Sequence, residues 1–87
     1  MVVAVQLNHH IVHARDPEAS ARFLSEMLGL PEPRHWGPFV IVETANAVSL
    51  DFIGTDDERY LVPNHYAFLV SEGEFDEIFG RIRERGL

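Results

Sequence analysis

Apolar and polar residues alternate through the stretch LNHHIVHARD, and the alternation predicts a strand over residues 3–14. Strand geometry sends Val5, Leu7, His9, Ile11 and His13 to one face, and Asn8, His10, Val12 and Ala14 to the other. Asp16-Pro17 then changes the period. Asp16 suits a helix cap and Pro17 a first helical position, so a helix is expected over residues 17–28. Its apolar stripe is Ser20, Phe23, Leu24, Met27 and Leu28, with Glu18 and Arg22 paired on the outer face. Gly29 is placed to end it.

Residues 30–37 carry Pro31 and Pro33 and read as a loop or a short edge strand. FVIVET at 39–44 and VSLDFI at 48–53 predict a hairpin turning near Ala45-Asn46. A polar, acidic loop follows at 54–59. NHYAFLV at 64–70 predicts a further strand, with His65, Ala67 and Leu69 facing opposite to Tyr66, Phe68 and Val70. Ser71 with Glu74 is a capping-box pattern that starts a second helix, whose buried stripe would be Phe75, Ile78, Phe79 and Ile82 and whose end is Gly86. The fold class is α+β.

The pattern repeats. Asn8-His9 and Asn64-His65 lie 56 residues apart, as do Phe23 and Phe79. Each Asn-His opens a strand that feeds a capped helix, and each helix ends near a Gly-Leu pair. A duplicated unit would bring His9 and His65 to equivalent places on one concave face. The copies are unequal, since about three strands follow the first Gly-Leu and none follows the second. By analogy with the first copy, roughly 40–50 residues of strands are expected to be missing after Leu87.

Composition narrows the function. Fourteen acids stand against seven arginines, with no lysine, for a net charge of −7. Such a surface disfavours nucleic acids and anionic membranes as partners. The apolar runs are too short to span a bilayer and the N-terminus is unlike a signal peptide, so the expected compartment is the cytoplasm. The absence of lysine fits a GC-rich coding sequence and a bacterial source. Without cysteine, neither disulfides nor thiolate metal sites supplement a modest core. A hydrophobic content of 46% argues against disorder. Sheet edges left exposed by missing strands predict a homodimer in which one chain supplies what the other lacks.

Three pieces, LNHHIVHARDPEASARFLSEMLGL, VSLDF and NHYAFLVSEGEFDEIFGRIRERGL, resemble in order and spacing the vicinal oxygen chelate superfamily of glyoxalases, bleomycin resistance proteins and extradiol dioxygenases. The opening pattern is met by His9, Val12, Ala14 and Asp16, and the second-module pattern by His65, Tyr66, Ala67 and Phe68. The resemblance implies a glyoxalase-like βαβββ module over residues 1–54 and the first strand and helix of a second module over 62–87. Together they make one incomplete domain, truncated after the second helix. It implies a divalent metal (Fe, Mn, Ni or Zn) on His9 and His65; a further ligand is usually a glutamate on the second module's last strand, absent here, and some members add a carboxylate from the first module's last strand. Asp51 is the acid in that region; whether Ser49 or Asp51 takes the family's ligand position stays open. Two histidines and a carboxylate with open positions suit a substrate held through neighbouring oxygens.

His13 shares the parity of His9 but lies about 13 Å along the strand, so it is a cavity-mouth residue or a solvated one. Trp36 and Phe39 line a pocket for an aromatic or apolar ligand, or else pack in a core or interface. With His13 they are the candidate substrate-binding residues. His10 is expected on the helix side as a packed or partly exposed residue, and His35 in solvent. Three functions follow: a metal-dependent lyase or dioxygenase acting on a small molecule chelated through vicinal oxygens; a metal-free, antibiotic-type binding protein; or an inactive truncated remnant that only self-associates.

Overall fold

The computed structural model describes residues 4–87. Residue 3, where the first strand was expected to begin, lies outside them. Strand β1 runs His9–Ala14, helix α1 Pro17–Leu28, β2 Arg34–Trp36, β3 Phe39–Glu43, β4 Ser49–Gly54 and helix α2 Glu72–Glu84, with a 3-10 turn at Glu58–Tyr60. One mixed sheet has the order β1-β4-β3-β2. β1 runs parallel to β4, and the β2–β3 and β3–β4 pairs are antiparallel. This is an α+β fold containing a βαβββ module. β1 starts at His9 because its partner starts at Ser49, directly opposite. Residues 4–8 therefore lie outside the ladder.

Local signals set α1. The Asp16 side chain accepts from the Ala19 N–H at 3.0 Å, Pro17 takes the first turn, and Gly29 ends the helix at φ 68°. The face against the sheet keeps Met27 and Leu24 of the expected stripe but is turned from Phe23 toward Ala21 and Ser25. Ala21, Ser25 and Met27 are buried, Leu24 is partly buried and Phe23 is exposed. Small Ala21 and Ser25 let the helix axis approach the sheet closely, and Ser25 satisfies its hydroxyl by donating to the Arg22 carbonyl at 3.1 Å. The core lies between α1 and one sheet face and holds Ala14, Ala21, Val40, Val42, Leu50 and Phe52.

Edge strand β2 is tied to α1 by charge. His35 is exposed as expected, and it also bonds the Glu18 carboxylate at 2.7 Å, with Arg22 donating to the same carboxylate. The His35 hydrogen bond, with help from Arg22, holds the Glu18 carboxyl below its usual range. A lowered folded value means that this contribution is complete above the unfolded value and fades as pH falls through the folded one. Thermal melts should show Glu18→Gln slightly less stable than the parent at about pH 6 and indistinguishable from it at about pH 3. A gap that widens on acidification would contradict this account.

The second half departs from expectation. α2 has its capping box, with the Ser71 Oγ accepting from the Glu74 N–H and the Glu74 carboxylate accepting from the Ser71 N–H. None of its residues is buried, however, and Phe75 and Phe79, expected in a buried stripe, are 58% and 50% exposed. Residues 64–70 join no sheet. They carry a strand's alternation but pair with no strand of the described sheet. α2 meets α1 chiefly through arginines: Arg81 donates to the Met27 carbonyl at 3.1 Å, and Arg85 pairs with Glu26. Among the described residues no helix is long and apolar enough to cross a membrane.

Candidate functional site

The sheet face away from α1 has no helix on it. Register sorts its side chains into rows across the strands. One row is His9, Ser49 and Glu43; the next is Ile11, Asp51, Ile41 and Arg34; the third is His13, Ile53, Phe39 and Trp36. The first two rows carry hydrogen-bonding and ionisable groups around Ile41, and the third is largely aromatic.

His9 is presented well. Its Nδ1–H donates to the Asn8 Oδ1 at 2.7 Å, which leaves the Nε2 lone pair outward. Ser49 and Asp51 both stand on this face. Ser49 is directly across from His9, and its hydroxyl donates to the Asp51 Oδ1 at 2.7 Å. Arg34 and Glu43 approach to 3.9 Å at the far side of the face.

The aromatic row ends in two stacked pairs. Trp36 and Phe39 lie 6.4 Å apart between centroids at 22°, and His13 stacks on Tyr60 at 5.0 Å and 26°. The sequence assigned Tyr60 no role. It follows an acidic loop with no periodicity, and only the 3-10 turn brings it back over the end of β1.

His65 does not join His9. It lines a cavity of about 420 Å³ with His10, Leu50 and Tyr66, on the helix side of the sheet. His9 points to the opposite side from His10 by strand alternation. His10 is exposed, as allowed for, and its Nδ1 shares a hydrogen bond with the Tyr66 hydroxyl at 3.1 Å. Burial pushes the Tyr66 phenol up from its ordinary value. The expected meeting of His9 and His65 on one face is therefore absent within one chain. Among the described residues, no three His, Asp or Glu side chains gather closely enough to hold a metal ion. An imidazole and a nearby carboxylate fall short of the three protein ligands of a usual catalytic site, so one chain alone does not fit the implied divalent metal.

No protein-family model and no curated protein matches the chain. Solved structures do. Oxidase ChaP-H1 is 62% identical, with a TM-score of 0.92, over 97% of this chain and 66% of that one. Oxidase ChaP-H2 is 56% identical, with a TM-score of 0.90, over 98% of this chain and 65% of that one. The chain thus spans just under two thirds of the length of either structure, and shares its fold with them over nearly all of its own.

Proposed function

We propose that this chain carries the substrate face of an oxidative enzyme for a small molecule, of the vicinal oxygen chelate type. One observation carries the reading. The helix-free sheet face sets His9, with Ser49 and Asp51, beside a row that contains Trp36, Phe39 and His13. Such a face can hold an apolar body at one end and hydrogen-bond its oxygens at the other. The oxidase names of two solved structures at 56–62% identity favour oxidation, hence a dioxygenase-like reaction, over a glyoxalase-type lyase.

The reading includes a homodimer. The chain exposes 6841 Å², against about 5,200 Å² for a compact monomer of its mass. Its radius of gyration is 14.4 Å, against about 12 Å for a compact chain of this length. The excess of roughly 1,600 Å² per chain is ample for a stable interface. β1 has a free edge, and residues 64–70 alternate without a partner. In a second copy, His65 can meet the His9 face that it misses in its own chain. A divalent metal is then held between copies, by His9 of one, His65 of the other and Asp51.

Mixing His9→Ala with His65→Ala chains tests this. Each variant alone binds no Ni²⁺ after equilibration and desalting. The randomly reassorted mixture recovers about a quarter of wild-type occupancy, because half the dimers carry one intact site. No recovery on mixing refutes a site shared between copies. No binding by the wild type refutes the metal and favours a metal-free binding protein, the reading that the single-chain donor geometry supports second.

A further inference from the structure

We propose that the hollow between residues 65–70 and the first half of the chain is a second small-molecule site, for an uncharged aliphatic compound that carries a carbonyl group. It lies on the helix side of the sheet and uses none of the rows of the open face, so it stands apart from the function proposed above.

Two cavities make the hollow. One, of about 410 Å³, lies between the end of α1, the β3–β4 turn, residues 67–70 and α2. The other is the cavity of about 420 Å³ beside His10 and Tyr66. They share Thr44, Asn46, Ala67 and Phe68 as walls, so they adjoin. Each has the volume of an ordinary small-molecule pocket. The first cavity suits the body of a ligand, since Leu28, Leu30, Val70 and Ile78 line it and all four are partly buried. Aliphatic walls of this kind conform to a flexible hydrocarbon chain.

The second cavity suits the polar end. His10 and Tyr66 share their hydrogen bond at 3.1 Å, with the rings edge to face at 5.5 Å. Whichever of the two donates, one donor is left over. If the Tyr66 hydroxyl gives its proton to Nδ1, the neutral imidazole carries its own on Nε2; if Nδ1 gives its proton, the hydroxyl keeps one. Asn46, on the wall common to both cavities, accepts from the Thr44 hydroxyl through Oδ1 at 2.6 Å, which leaves its NH₂ group to donate. Donors on an otherwise apolar wall are matched by a carbonyl oxygen, and leaving them unmatched under a ligand is costly.

Charge is disfavoured. Among the described residues that line the two cavities there is no arginine, and the one carboxylate, Glu74, already accepts from the Ser71 N–H. A carboxylate ligand would lose its water there without a guanidinium to meet it, in a chain of net charge −7.

Amide chemical-shift titrations of the whole chain with 2-nonanone, 2-pentanone and nonanoate, at about pH 8 where the acid is ionised, decide the matter. 2-Nonanone gives saturable shifts at Leu30, Asn46, Ala67 and Ile78 and none at Ile53 or Trp36. It binds at least about tenfold tighter than 2-pentanone, since each added methylene gains up to about fourfold when buried. It also binds at least about tenfold tighter than nonanoate, which has the same length but a charge. Ala67→Phe fills the space common to both cavities and abolishes the shifts, while the rest of the spectrum stays that of the parent. No saturable shift with 2-nonanone, shifts on the open face instead, equal binding of 2-pentanone or nonanoate, or full binding by Ala67→Phe each overturns the site. If Ala67→Phe fails to fold, the three ligands on the wild type decide alone. None of these results bears on the mixed-chain metal test.

Discussion

Phe52→Ala should leave the chain close to half unfolded in water, whereas Ile53→Ala, one residue along the same strand, should cost under about 1.5 kcal/mol. Phe52 is 6% exposed on β4, between β1 and β3, and belongs to the core cluster with Val40, Val42 and Leu50. Truncating such a ring costs about 3–5 kcal/mol, from lost transfer energy and the cavity left behind. A chain of 87 residues has roughly 4–13 kcal/mol to lose, and this core is small. Ile53 is half-buried on the open face, outside the core cluster, so its loss removes less buried area than that of Phe52. Urea unfolding followed by circular dichroism separates the two variants. A loss below about 1 kcal/mol for Phe52→Ala would mean that the core is centred elsewhere.

Replacing Phe75 and Phe79 together by serine should leave the secondary structure intact and weaken the dimer by about a thousandfold. The two rings stack at 6.1 Å and 7° on α2, and Arg83 lies over Phe79 at 5.7 Å. α2 buries no residue in its own chain, so the rings contribute little to the chain's own stability. If they are covered by a second copy, each is worth about 2 kcal/mol of burial, and about 4 kcal/mol together sets the predicted change in dissociation constant. Sedimentation over a concentration series measures it. A double variant that dimerises as tightly as the parent removes α2 from the interface.

The elements that the sequence located correctly are those with local signals. Asp16-Pro17 and Gly29 bound α1, and Ser71 with Glu74 starts α2, because caps are satisfied within a few residues of chain. The β3–β4 hairpin was equally legible. Its Thr44–Val48 turn closes by backbone bonds, with Ala47 in the left-handed region at φ 62°. Misplaced elements depend on distant partners. Alternation over 64–70 marks residues able to form a strand, but a ladder needs a backbone partner, and these residues take none. Phe23 and Phe79 repeat 56 residues apart as expected, yet both are exposed, since spacing fixes a helix face and not what covers it. Of the site, His9, Ser49 and Asp51 fall on one face by simple parity. The separation of His65 from His9 depends on how the second half folds back, which no local pattern encodes.

The join between α1 and α2 is made largely of charge. Arg81 reaches the carbonyl end of α1, where the helix dipole is negative, and Arg85 pairs with Glu26 while more than a third exposed. Attractions of this kind weaken as dissolved ions shorten the Debye length, whereas the apolar contact of α1 with the sheet does not. The two halves of the chain therefore answer to different solvent variables. Ionic strength loosens the second helix from the first and leaves the apolar core under α1 untouched, so salt acts more strongly on the part of the molecule that carries α2 than on that core.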